Sequence, residues 1–166
     1  MTYENSTLGI RIKHPSDWRS IQGVGSYTVA IPDEDNPENF FDTLYVQMLP
    51  LSFMGMLLES PSIDAYTSAL ISLLRENLTN FNLLESNAAT LDDNLAHELK
   101  YTYEKEWGIN YKVMSLFTIK NNILYHIGYE SLASSSYYDN LLIVLKILES
   151  FEILNENKNI NRPENF

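Results

Sequence analysis

Apolar and polar residues alternate along much of this chain with the two-residue period of a strand, and two stretches switch to the longer period of a helix. Leu8, Ile10 and Ile12 alternate with Gly9, Arg11 and Lys13, which predicts a half-buried strand. Pro15 should stop its pairing, because proline has no N–H to give to a ladder, and Trp18 follows as a large apolar anchor. Gly23-Val24-Gly25 reads as a turn. Tyr27, Val29 and Ile31 then alternate with Thr28 and Ala30, a second strand expected to form a hairpin with the first. Leu44 to Leu49 resumes the pattern with Leu44, Val46 and Met48 on one side. Pro50 and Gly55 interrupt the apolar run up to Leu58, so a loop or short turn over an edge of the core is expected there.

Ser60-Pro61 is a helix start, since serine accepts from free backbone N–H groups and proline is pre-shaped for a first helical position. The helix is predicted from about Ser62 to Leu78, with Tyr66, Leu70, Leu73, Leu74 and Asn77 on one face and Asp64 suited to the dipole of the first turn. From Leu83 to Glu130 the period returns to two. Leu95, His97, Leu99, Tyr101 and Tyr103 share one parity, and Trp107-Gly108-Ile109-Asn110 gives a turn. Tyr111 to Lys120 is apolar on both parities, as a strand covered on both faces should be. Asn121-Asn122 is a tight turn, because asparagine tolerates left-handed backbone, and Ile123, Tyr125, Ile127 and Tyr129 follow on the partner strand. Ser134-Ser135-Ser136 can cap a last helix striped by Tyr137, Leu141, Val144, Leu145 and Leu148, after which Phe151 and Ile153 close the core. These elements describe an α+β chain: a central antiparallel sheet of about six strands flanked by helices as an α/β/α sandwich. Residues 1–153 are expected to form one domain and 154–166 a polar tail.

Composition narrows the function classes. Eleven basic residues against twenty-two acidic ones give a formal net charge of −11, a field that repels phosphate backbones, so no nucleic-acid partner is expected. Without cysteine there is no disulfide, thiolate metal site or Cys nucleophile. No run reaches the roughly 18 apolar residues of a membrane span, although an upstream leader or anchor would place the chain outside the membrane. No catalytic or cofactor motif stands out, and no cofactor is expected.

At the two ends of the chain the residues suggest a family. Tyr3-x-Asn5, Gly9-Ile10-x-Ile12-x-x-Pro15-x-x-Trp18 and the closing Ile147-Leu148-x-Ser150-Phe151 resemble the PsbP-like domain family. Its namesake is an extrinsic subunit of photosystem II, and Ran-binding nuclear import factors share the fold. The opening Tyr-Glu-Asn-Ser-Thr and Pro-Ser-Asp-Trp pattern is most similar to archaeal PsbP-like proteins of unassigned role, many of which follow a signal or lipid anchor. The resemblance implies the sandwich already reached from the periodicity, and it implies docking to a protein partner rather than catalysis. It brings no active-site residues, and the Lys-rich docking surface of the photosynthetic namesake is not present here.

Three constellations carry candidate chemistry. Asp33, Asp35 and Glu38 lie in an acidic Pro-bounded loop with oxygen ligands for a hard cation, but Glu38 and Leu44 stand where a calcium loop needs Gly and Glu, so a solvated loop is the simpler reading. His14, His97 and His126 are enough imidazoles for zinc if the fold gathers them, yet none shows ligand spacing, and strand histidines are more often buried hydrogen-bonders. The aromatic set Tyr101, Tyr103, Trp107 and Tyr111, with Tyr125 and Tyr129, serves either core packing or an exposed docking patch. A non-catalytic binding or assembly module is the expectation. The alternative is a small-ligand or metal carrier, or an enzyme, with a pocket between the sheet and the long helix.

Overall fold

A computed structural model describes residues 1–31, 42–54 and 61–154. In chain order the strands are β1 (Thr2–Asn5), β2 (Ile10–Lys13), β3 (Arg19–Gly23), β4 (Ser26–Ile31), β5 (Asp42–Pro50), β6 (Thr79–Leu91), β7 (Asn94–Glu104), β8 (Asn110–Lys120), β9 (Ile123–Leu132) and β10 (Glu152–Ile153). The α-helices are α1 (Leu51–Met54), α2 (Ile63–Asn77) and α3 (Ser135–Glu149). Seven strands form an antiparallel sheet in the order β3-β4-β5-β9-β8-β7-β6, and a second sheet has the order β1-β2-β10.

The period of two explains the layering. On β8 and β9 the residues Val113, Phe117 and Leu124 point to one face and meet Tyr66, Leu70 and Leu74 of α2. Met114, Leu116, Tyr125, Ile127 and Tyr129 point to the other, where α3 and the small sheet bring Tyr137, Val144, Ile147, Ile10 and Ile12. Both central strands are therefore covered twice and read as continuous apolar runs. The result is the α/β/α arrangement the periodicity predicts, with a wider sheet.

The turns follow local chemistry. Asn121 and Asn122 both have positive φ (53° and 61°), as a two-residue hairpin between right-twisted strands demands. Asp92 and Asp93 (48° and 58°) do the same between β6 and β7. Ser62 caps α2, its hydroxyl accepting from the Ala65 N–H at 3.1 Å.

Four expectations change. The strand at Ile10–Lys13 does not pair with Ser26–Ile31; it pairs with β1 and β10, while β4 lies between β3 and β5. The intervening β3 is exposed at every position, so it carries no alternation to read. The N-cap of α2 is Ser62 rather than Ser60, which lies outside the described residues. On the helices, Leu73 and Leu145 are exposed, whereas Ile147 is buried and Ile63 and Ile71 pack against the core; Tyr66, Leu70 and Leu74 of α2 and Tyr137, Leu141, Val144 and Leu148 of α3 keep their expected faces. Finally β6, mostly polar and exposed, adds a thirteen-residue edge strand.

Candidate docking site

The end of the sheet where β7 turns into β8 holds most of the aromatic set. Tyr101, Tyr103 and Tyr111 alternate onto the α2 face and are buried there, with ring centroids 6.4 Å apart for Tyr101–Tyr103 and 5.9 Å for Tyr103–Tyr111. Phe81 of β6 joins the row 5.4 Å from Tyr101. These three tyrosines are therefore core, and offer no open patch.

The row is closed at its solvent end by charge. The Lys105 ammonium lies 3.9 Å above the Tyr111 ring centroid and pairs with Oε1 of Glu130, while the Tyr103 hydroxyl donates to Oε2 of Glu130 at 2.5 Å. Burial, then the hydrogen bond to Glu130 and its charge, push the Tyr103 phenol well above its ordinary range, so it stays a donor. Burial chiefly, with the Glu130 charge adding, does the same to Tyr101.

Beyond this closure the chain makes a one-turn 3₁₀ segment at Glu106–Gly108, tied by the Lys105 N–H donating to the Ile109 carbonyl at 2.9 Å. Trp107 sits at its apex with φ 66° and ψ 18°, and is 93% exposed. Ile109 beside it is 41% exposed. A left-handed backbone costs a side-chain-bearing residue about 1–2 kcal/mol, and a bulky residue rarely adopts it. At the same end of the sheet the Lys112 ammonium donates to the Tyr138 hydroxyl at 2.9 Å, and Tyr138 and Leu142 are exposed on the first turns of α3. Of the four aromatic candidates the turn thus separates one, Trp107, from three that are enclosed.

The remaining candidates scatter. His97 and His126 sit on β7 and β9 with Phe117 paired between them, and His14 lies on the opposite side against Tyr27, its Nε2 2.6 Å from the phenol oxygen. No group of three or more His, Cys, Asp or Glu able to hold a metal ion occurs among the described residues. Asp33, Asp35 and Glu38 lie outside the described residues.

A polar knot whose partners no residue spacing brings together lies under α2. His126 has Ser115 Oγ 2.5 Å from Nε2 and the Tyr66 hydroxyl 3.2 Å from Nδ1. A Ser–His pair at this distance looks like an activated nucleophile, but Ser115 is 1% and His126 7% exposed. Burial holds His126 near pKa 4 and pushes Tyr66 up to about 12, so both are neutral at pH 7 and share hydrogen bonds inside the core. Tyr66 packs edge-on against Phe117 within the layer between the sheet and α2, with ring centroids 4.9 Å apart. An open cavity of about 400 Å³ lies on the α2 side of the sheet beside α1, lined by Leu49, Pro50, Ser52 and Phe53, with a single polar side chain.

A family model described as "PsbP-like protein" matches residues 1–153. No curated protein matches the sequence. Among solved structures, a Pseudomonas aeruginosa protein of unknown function is similar with a TM-score of 0.64 at 10% identity, over 98% of this chain and 97% of that one. The cyanobacterial PsbP of Synechocystis gives 0.63 at 12% identity, over 92% and 91% of the two chains. The Saccharomyces cerevisiae Ran-binding protein Mog1p gives 0.60 at 10%, over 93% and 95%. The expected likeness to archaeal members is not borne out by these matches, which are bacterial, cyanobacterial and yeast. At these identities the likeness is one of fold.

Proposed function

Because the chain belongs to the PsbP-like family, we propose that it is a non-catalytic docking module whose partner-facing point is the Trp107–Ile109 turn. The observation that carries this reading is Trp107 itself, a bulky residue held left-handed and 93% exposed. An isolated chain gains nothing from that arrangement: the backbone is strained and the indole stays in water. A protein partner that buries the indole offsets both costs, and tryptophan is the residue type most enriched at the energetic centres of interfaces. Ile109, Tyr138 and Leu142 add apolar surface at the same end of the sheet, with Lys105 and Lys112 as polar flanks. The enclosure of the Ser115–His126 pair favours docking over catalysis. Ran binding is not carried over from the yeast protein.

The test separates docking from packing. Trp107→Gly removes the left-handed strain, so the variant should be more stable by about 1 kcal/mol. A photo-crosslinking residue at position 109, expressed in the native cell, should give one dominant protein adduct that disappears in the Trp107→Gly background. Val24, exposed at the opposite end of the sheet, is the control position. Adducts that are the same at positions 24 and 109, or that survive Trp107→Gly, would sink the proposal.

A further inference from the structure

The free edge of β6 points to self-association. This strand ends the large sheet, and among the described residues no backbone group bonds its outer side. Edge strands of this length are usually protected by proline, lysine or bulges. The first part of β6 is protected, with register shifts between Thr79 and Asn82 and between Leu83 and Glu85. From Glu85 to Leu91 the ladder with β7 is regular, and Ser86-Asn87-Ala88-Ala89-Thr90 carries neither charge nor proline. The opposite edge is different: β3 is a five-residue strand bearing Arg19.

The turn fixes which groups are free. Asp92 and Asp93 form a two-residue loop with both φ positive, so Leu91 and Asn94 close it as a hydrogen-bonded pair. Bonded and non-bonded pairs alternate along an antiparallel ladder. Residues 91, 89, 87 and 85 therefore bond inward to β7, and Ser86, Ala88 and Thr90 present their N–H and C=O groups outward.

We propose that two copies of this chain pair antiparallel through Ser86–Thr90, with Ala88 on the two-fold axis, joining their large sheets into one. Ala88 is the midpoint of the regular segment 85–91, and its small exposed side chain lets the axis close. In this register Ser86 faces Thr90, Asn87 faces Ala89 and Glu85 faces Leu91 of the second copy, so no like charges stand opposite. The flanking acids are paired within each chain, Glu85 with Lys100 at 2.9 Å, an ammonium it shares with Glu98 at 3.1 Å, and Asp92 with Lys120 at 3.2 Å. A second copy is thus the occupant this edge suits: the contact is isologous, closes after two chains and hides the unprotected edge.

The absence of cysteine makes the register directly testable. Across a bonded antiparallel pair the Cα atoms are about 5.5 Å apart, within disulfide reach. Oxidation should link Ala88→Cys into a covalent dimer. Neither Ser86→Cys nor Thr90→Cys should link alone, but a mixture of the two should. Sedimentation of the full chain should give twice the monomer mass, and Ala88→Pro, which removes an outward N–H and leaves the β7 ladder intact, should weaken the dimer at least about tenfold. Ala88→Lys, which sets two ammonium groups across the axis, should do the same if the proline variant fails to fold. A wild-type chain that stays monomeric up to about 100 μM, a dimer indifferent to both substitutions, or crosslinking indifferent to position would overturn the proposal.

Discussion

Acidification should release the constraint held by His126. The folded chain keeps this imidazole near pKa 4 because burial penalises its charged form, whereas in the unfolded chain it titrates near 6.5. Above pH 6.5 both states are neutral and nothing is lost. Between pH 6.5 and 4 the unfolded chain takes up a proton that the folded one refuses, so the unfolding free energy falls as pH falls. The gap of about 2.5 pH units at about 1.4 kcal/mol each gives roughly 3 kcal/mol, complete by pH 4. Such a loss is a large share of the 5–15 kcal/mol that holds a typical domain together. The assay is urea denaturation of wild type and His126→Gln at several pH values from 7 to 4. Glutamine does not titrate, so subtracting the two curves removes the contribution of the carboxylates common to both. The wild-type advantage at pH 7 should shrink by about 3 kcal/mol by pH 4. Parallel curves would mean that His126 titrates normally and that α2 does not seal it from water.

Other outcomes follow from the same packing. Trp18→Ala should cost about 3–5 kcal/mol, since the indole is buried among the residues of the α3-side core; a loss well under 1 kcal/mol in a denaturant titration would make it a surface residue. Gly128→Ala should destabilise by about 1–3 kcal/mol, because a Cβ there would lie 2.0 Å from Cζ of Tyr45, whose ring crosses over the glycine. Adding Tyr45→Ala should recover part of that loss, and strict additivity in the double-mutant cycle would refute the clash. Above pH 10 the buried phenols, Tyr66 among them, should destabilise the fold, because the unfolded chain ionises them first; a denaturation midpoint unchanged between pH 9 and 11 would contradict their burial.

What the sequence makes legible is face and turn. The Asn121-Asn122 turn, the double-sided β8 and the span of α2 all rest on interactions between near neighbours, which a linear pattern records. What it hides is cover. Tyr101, Tyr103 and Tyr111 share a parity whether or not a helix lies over them, and only the arrival of α2 and β6 makes them core. Trp107 escapes because its backbone turns left-handed, a conformation no pattern expects of tryptophan. Edge strands are illegible for a related reason: β3 and most of β6 bury neither face deeply, so they leave no alternation. The Ser115–His126–Tyr66 knot joins one hairpin to a helix residue 60 positions earlier than His126 and has no local signature.

The small sheet ties Ile10–Lys13 to Glu152–Ile153, and this orders events during synthesis. Arg11 on β2 holds Glu4 on one side and Glu152 on the other, at 2.8 and 2.7 Å, and the Leu154 N–H donates to the Gly9 carbonyl. The segment that opens the chain therefore waits for partners made some 140 residues later. Chains emerge at about 5–20 residues per second, so β2 spends several seconds with one edge unpaired while the large sheet is still being translated. Ile10 and Ile12, fully buried in the finished fold, lack their α3-side cover for that interval, and the β2–β10 clasp can shut only after Ile153 has been made.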